Sequence, residues 1–291
     1  MIPFVKGHGL GNDYIVISEA DLPGPIGTRQ IERICDRNWG AGSDGILLLV
    51  PGWDGADFGL RILNPDGSEA EKSGNGLRIF AKYLWDHGHA KREVFTVSTK
   101  GGRVECRCHV VDGRMNLVTV EMGRCTFVAP EIPMTGPTGE AVRVPLDVDG
   151  ERLTVTAVSG GQSALRHLHR SPRRGPRPPC GPARRSTTPP SRTVSTCSGR
   201  AWPRAPEVDI LIWERGAGYT LASGSSSSAV ACAAVKNGLC DHGLVTVRMP
   251  GGTLSIEVRP DWSIRLQGPV EEVYTGTFSR DLMDALTALV Q

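Results

Sequence analysis

Two serines 150 residues apart mark the places where this chain is equipped to do chemistry on an anion. The first, Ser73, opens the run Ser-Gly-Asn-Gly-Leu-Arg-Ile-Phe. Gly74 and Gly76 let backbone NH groups approach a ligand without side-chain obstruction, and Leu77, Phe80, Ala81 and Leu84 follow at helical spacing. Ser73 is therefore expected at the N-terminus of an amphipathic helix. That end of a helix carries unsatisfied NH donors and a partial positive charge, so it holds a carboxylate or stabilises a developing anion. Read alone, Ser73 is an ordinary N-cap.

A second copy changes the weight of that position. Adding 150 carries Ser73 onto Ser223, Gly74 onto Gly224, Thr96 and Val97 onto Thr246 and Val247, and the pair Gly101, Gly102 onto Gly251, Gly252. Each half reads glycine-flanked serine, helix, a glycine at Gly88 or Gly238, strand, Gly-Gly turn, strand. The ungapped offset implies two half-molecules descended from one unit. A two-copy protein tends to put its site between the copies, so two helix N-termini are expected to meet one ligand from opposite sides.

The elements that must position these serines follow from periodicity and turn chemistry. A strand near the start leads into a glycine-spaced loop, Gly7 to Tyr14, in which Asn12 either contacts a ligand or bonds its own backbone. Arg29 to Cys35 reads as a helix, Asn38 to Asp44 as a second glycine-rich loop, and Gly45 to Val50 as a buried strand. Phe58 to Leu63 is a strand ending in Asn64-Pro65-Asp66-Gly67-Ser68, a turn that delivers the chain to Ser73. Thr96 to Ser98 and Arg103 to Val111 form a hairpin, and Asn116 to Met122 and Ala141 to Val158 continue as strands. Further on come a strand at Val208 to Trp213, a helix at Val230 to Val235, strands at Leu244 to Met249, Thr253 to Val258 and Ser263 to Leu266, and a tail helix at Arg280 to Leu289.

The 291 residues suffice for two domains, each with its own core. Neither a membrane-spanning run nor a signal-peptide layout is present, and the expectation is a soluble, cytoplasmic protein without membrane contacts. The eight cysteines include no Cys-x-x-Cys pair, and no histidine cluster has metal spacing, so free thiols and no metal are expected. The net charge of +2 misleads. Residues 152–206 hold eleven arginines and no Asp, Glu or Lys, leaving the remainder with 22 basic against 31 acidic residues. With Trp202 as its one aromatic, that segment makes a poor nucleic-acid surface, and no nucleic-acid partner is expected. From Arg170 to Pro206 apolar periodicity vanishes, and neither strand nor helix can be assigned.

Several ordered motifs are similar to one known family. Gly9-Leu10-Gly11-Asn12-Asp13, Gly42-Ser43-Asp44-Gly45, Arg61-Ile62-Leu63-Asn64-Pro65-Asp66-Gly67-Ser68-Glu69, Gly74-Asn75-Gly76, Trp213-Glu214-Arg215-Gly216-Ala217-Gly218, Pro250-Gly251-Gly252 and Gly268-Pro269 together resemble diaminopimelate epimerase. That enzyme inverts one stereocentre of LL-diaminopimelate to the meso form, without a cofactor, for lysine and peptidoglycan synthesis. The resemblance implies an α/β roll of two pseudo-symmetric domains, each a mostly antiparallel sheet wrapped around a central helix, with the site in the interdomain cleft. The expected domains are residues 1–122 completed by 270–291, and 123–269. It further implies that Asn12, Asn64, Asn75 and Arg215, with the NH groups around Gly74, Gly224 and Ser225, hold the amino-acid substrate. Glu214 would assist, and Tyr274 would take part in a homodimer.

Two departures qualify this expectation. Family members place a proton-transferring cysteine at each of the positions occupied here by Ser73 and Ser223. A serine hydroxyl has no usable anion near neutral pH without a partnered base, so an impaired epimerase is expected. The alternatives are a related cofactor-independent amino-acid racemase or isomerase, and a non-catalytic amino-acid-binding protein. The second departure is residues 160–206, where family text is replaced. One extra nucleotide after Ser159 converts codons for Ser-Val-Gly-Asn-Pro-His-Cys-Val-Ile-Phe into the sequence present, Ser159 to Leu168. Asn-Arg-Val-Asn-Val-Gln read one nucleotide late gives Thr193 to Ser198. Resequencing the gene is expected to reveal compensating frame slips in this segment, and an intact single frame would contradict that reading.

Overall fold

The computed structural model describes residues 1–132, 134, 138–148, 151–159, 163–169, 193–200, 206–214 and 218–289. Strands β1 (Pro3–Gly9) and β2 (Asn12–Ser18) lead to helix α1 (Thr28–Cys35). Next come β3 (Ile46–Val50), β4 (Phe58–Leu63), β5 (Glu69–Ala70), α2 (Gly74–Asp86), β6 (Val94–Thr99), β7 (Gly102–Val111) and β8 (Arg114–Arg124). The chain continues through β9 (Val144–Val148), β10 (Glu151–Ser159), β11 (Ser163–His169), β12 (Thr193–Arg200), β13 (Glu207–Glu214) and β14 (Gly218–Thr220). Helix α3 (Gly224–Lys236), β15 (Gly243–Met249), β16 (Gly252–Val258), β17 (Ser263–Pro269), β18 (Glu271–Thr277) and α4 (Arg280–Ala288) complete it. Two compact units result, one of Met1–Glu121 with Gln267–Gln291 and one of Met122–Leu266.

Within each unit the strands follow one pairing scheme. In the first, β1–β2 is antiparallel, β2–β3 parallel, β3–β4 and β4–β5 antiparallel, β4–β6 parallel and β6–β7 antiparallel. In the second, β10–β11, β11–β12, β12–β13, β13–β14, β13–β15 and β15–β16 repeat that order of directions. Beyond β4 the register itself repeats at the 150-residue offset. Phe58 pairs with Val97 as Val208 does with Val247, and Ile62 with Ala70 as Ile212 does with Thr220. Even the bond from the Gly101 amide to the Glu71 carbonyl, 2.8 Å, has its counterpart from Gly251 to Leu221, 2.9 Å. The mostly antiparallel sheet is thus built twice.

Helices α2 and α3 each occupy the inside of a unit. β1, β2, β7 and β18 pack on α2, and β10, β11, β13 and β16 pack on α3. The helix expected after Ser73 forms and is buried on every side from Gly74 through Ala81. Apolar periodicity understates this, because the sheet covers the flanks of the helix as well as its apolar stripe. Helix α3 achieves the same burial with small side chains, Ser226 to Ser228, Ala229, Ala231, Ala233 and Ala234, which let the strands approach closely. Ile15, Ile17, Ile46 and Leu48 form another core cluster with Ile31 and Ile34 of α1 and with Phe278.

Three local features differ from the sequence reading. The loop expected from Gly7 to Tyr14 is a tight hairpin turning on Leu10 (φ 61°) and Gly11 (φ 86°), the left-handed pair that matches strand twist. β12 forms where no periodicity exists, because backbone pairing with β11 and β13 needs none. The remainder of the aperiodic segment, residues 170–192 and 201–205, lies outside the described residues. No helix among the described residues is long and apolar enough to cross a membrane.

Candidate active site

Register places the site residues of the first unit at one end of its sheet. Ile15 of β2 stands beside Ile46 of β3, which stands beside Leu63 of β4. The starts of β2 and β3 and the end of β4 therefore coincide, bringing Asn12, Asp44 and Asn64 to the same edge. The first turn of α2 reaches that edge too, since Asn75 Nδ2 donates to Asn12 Oδ1 at 3.0 Å. Asn12 Nδ2 in turn donates to Asp44 Oδ2 at 2.7 Å.

Behind Asn75 stands Arg78, a residue the sequence reading passed over. Its Nη2 donates to Asn75 Oδ1 at 3.0 Å, its Nη1 to the Gly74 carbonyl at 3.3 Å and its Nε to the Pro269 carbonyl at 3.3 Å. The guanidinium is fully enclosed, and burial alone pushes its pKa down to about 9. A one-way chain of donors thus runs Arg78, Asn75, Asn12, Asp44. Arginine only donates and an ionised carboxylate only accepts, so the two ends dictate which way both amides face.

At the outer end, Arg37 Nη2 sits 2.7 Å from Asp13 Oδ1 and 2.7 Å from Asp44 Oδ1, and Lys6 Nζ lies 2.8 Å from Asp13. Burial opposes ionisation of Asp13, yet Arg37 and Lys6 outweigh it and hold the carboxyl below its ordinary range. Asn64 shares the edge, but its amide serves its own turn, donating from Nδ2 to Ser68 Oγ at 2.9 Å.

Both candidate serines are N-caps. Ser73 Oγ accepts from the Gly76 amide at 3.0 Å, and Ser223 Oγ accepts from the Ser226 amide at 3.2 Å. The Leu77 and Ser227 amides bond the Ser73 and Ser223 carbonyls at 2.9 and 3.0 Å. The Gly74, Gly224 and Ser225 amides fall outside these capping bonds, at the positive ends of their helices. Ser225 Oγ lies 3.2 Å from Ser223 Oγ. Among the described residues, no carboxylate, histidine or lysine is bonded to either serine hydroxyl. Among the described residues, neither serine therefore has a bonded base to deprotonate it.

The structure brings Asn12, Asn75 and Gly74 together, and separately Ser223, Gly224 and Ser225. Arg215 lies outside the described residues, as does the side chain of Glu214 at the end of β13. Tyr274 is on β18, exposed, with its ring edge-to-face against Phe4 at 6.0 Å. A cavity of about 290 Å³ lies elsewhere, lined by Asp57, Phe58, Ala90, Lys91, Arg92 and Phe95, and includes none of these residues. Among the described residues, no three His, Cys, Asp or Glu side chains are grouped to hold a metal ion.

The duplicated roll has solved counterparts. A probable proline racemase from Agrobacterium radiobacter K84 superposes with a TM-score of 0.71 at 15% identity, over 98% of this chain and 94% of that one. A hydroxyproline epimerase from Agrobacterium vitis does so with a TM-score of 0.71 at 14% identity, over 96% and 93%. These likenesses define the fold as the one used by such racemases and epimerases.

Sequence narrows the class further. The family model described as "Diaminopimelate epimerase" matches residues 4–128 and 202–277. "Diaminopimelate epimerase 2" of a Nostoc strain is 41% identical over 98% of this chain and 99% of its own length. The diaminopimelate epimerase of Pelotomaculum thermopropionicum is 37% identical over 94% and 98%. The chain belongs to the diaminopimelate epimerase family, a family of isomerases. The model match is interrupted over residues 129–201, an interval that contains most of the aperiodic segment.

The Asp13 cluster carries a pH dependence whose sign is fixed. The folded-state pKa of Asp13 is depressed, so its contribution to stability is complete above its unfolded value of about 3.9 and is lost as the pH falls through the folded value. Thermal melts between about pH 6 and pH 3 should show a steeper acid loss for the parent than for Asp13→Asn. Equal slopes would remove Asp13 from the acid response.

Proposed function

We propose that this chain binds diaminopimelate at the Ser73 and Ser223 helix starts and, with serine in both places, inverts it slowly. The observation that carries this reading is the duplicated cradle, a capped and buried helix N-terminus repeated at a 150-residue offset in a member of this family. Inversion needs one group to remove the α-proton and another to return a proton on the opposite face. Positions 73 and 223 are the matching pair in the two halves. The negative charge that develops at the α-carbon and its carboxylate would be answered by helix N-termini, whose dipoles need no reorganisation during reaction.

In this reading Asn12, Asn64, Asn75 and Arg215 hold the ammonium and carboxylate groups, together with the amides of Gly74, Gly224 and Ser225, and Glu214 assists. Thiols at 73 and 223 would serve as acid and base because a helix N-terminus lowers a cysteine pKa from about 8.5 into the working range. Hydroxyls without a bonded base cannot. The missing proton carriers favour a second reading, an amino-acid-binding protein without turnover.

The test is α-proton exchange of LL-diaminopimelate in heavy water. The parent chain is expected to exchange slowly, and the double variant Ser73→Cys with Ser223→Cys to gain about 10²–10⁴-fold. Ordinary enzymatic turnover by the parent would contradict the assigned roles, and no gain in the folded double variant would favour the binding reading. We also propose a homodimer formed through β18, where Val273 and Tyr274 are exposed. Sedimentation should show a dimer that Tyr274→Glu weakens, whereas a monomeric parent would rule it out.

A further inference from the structure

Arg78 is the largest fully buried side chain of α2, and among the described residues no carboxylate is paired with it. Its three acceptors are the Gly74 carbonyl, the Asn75 amide oxygen and the Pro269 carbonyl, all formally uncharged. No ion pair among the described residues includes it. A buried cation is costly unless paired, so its retention calls for an account.

Its placement makes the cost greater. The guanidinium lies against the first turn of α2, where the helix dipole already contributes partial positive charge. Two like contributions reinforce each other at the Gly74 to Gly76 cradle. The chain also makes room for this arrangement. A Cβ on Gly9 would come 2.7 Å from Arg78 Nη2 and 3.5 Å from Asn75 Cβ, so the β1–β2 hairpin approaches only because that residue is glycine. The 150-residue offset supplies a comparison within the molecule. The position equivalent to Arg78 in α3 is Ser228, also buried, whose hydroxyl has no hydrogen-bond partner among the described residues. Among the described residues, the two cradles share caps and backbone but differ by one enclosed charge.

We infer that Arg78 is a positioning residue that acts through Asn75 and through its field: it fixes the Asn75 amide with its NH2 group toward Asn12, and makes the Ser73 cradle more electropositive than the Ser223 cradle. The substrate class this favours at the Ser73 end is a fully ionised carboxylate, which completes the unpaired charge. An acid placed at position 73 is held in its anionic form more strongly than one at position 223, so the two halves are not interchangeable as proton acceptor and donor. The inference rests on the epimerase reading only for the identity of the carboxylate.

Thiols introduced singly by Ser73→Cys and Ser223→Cys report the field directly, with iodoacetamide alkylation rate against pH giving each apparent pKa. The thiol at position 73 should titrate below the one at 223. Adding Arg78→Met should raise the former by about 1 and leave the latter in place. Adding Arg78→Lys, which keeps the charge and loses the fork, should preserve the low thiol pKa while raising KM for diaminopimelate in the double-cysteine background. Equal pKa values at the two positions, or no response to Arg78→Met in protein with a native melt, would overturn the inference. If Arg78→Met does not fold, Arg78→Lys decides: an unchanged KM would overturn the positioning role. The thiol titrations involve no substrate. Failure of diaminopimelate to bind would therefore count against the proposed function alone, and a flat thiol response against Arg78 alone.

Discussion

A helix that begins inside a protein takes amide hydrogens and the positive end of its dipole away from water, and those charges must be answered locally. Helices α2 and α3 both begin in this way, with Gly74 and Gly224 buried at their first positions. One serine at each start answers one amide through its hydroxyl and another through its carbonyl. What remains at each start is the positive potential of the helix end. The surrounding sheet gives each unit a core, and it also removes the solvent that would otherwise screen that potential.

The first unit adds a polar chain to this arrangement. Arg78, Asn75, Asn12 and Asp44 are bonded in one direction, from an enclosed cation to a half-buried carboxylate held by Arg37. The four residues come from three stretches of chain, so the orientation of Asn75 depends on α2, on the β1–β2 hairpin and on the loop before β3 together. Such a chain is worth more intact than in parts, because leaving any member unpaired in a dry site costs its desolvation in full. The family relation gives the chain its chemical context.

Much of this was legible in the sequence, for identifiable reasons. The offset between Ser73 and Ser223 survives into β-strand register because turns and glycines, which fix register, are what the two halves retain. Asn12 and Asn75 were visible through their glycine neighbours. Arg78 was not, since an arginine one turn into a helix ordinarily faces water, and only the sheet around α2 reveals otherwise. Asp13 and Asp44 stood in plain view as motif text, yet nothing local indicates that they share Arg37. Asn64 was placed at the correct end of β4, but the engagement of its amide by Ser68 depends on the turn closing. The strand at Thr193–Arg200 carries no side-chain pattern, so backbone pairing alone defines it.

The proposal that most needs testing is that diaminopimelate binds at the two helix starts. Its most direct test is a titration of the isotopically labelled parent chain with meso-diaminopimelate, followed through the backbone amide resonances. The account predicts that the Gly74 to Gly76 amides and the Gly224 to Ser226 amides shift together and saturate at one ligand concentration. Shifts confined to one helix start, or two sets saturating independently, would contradict it.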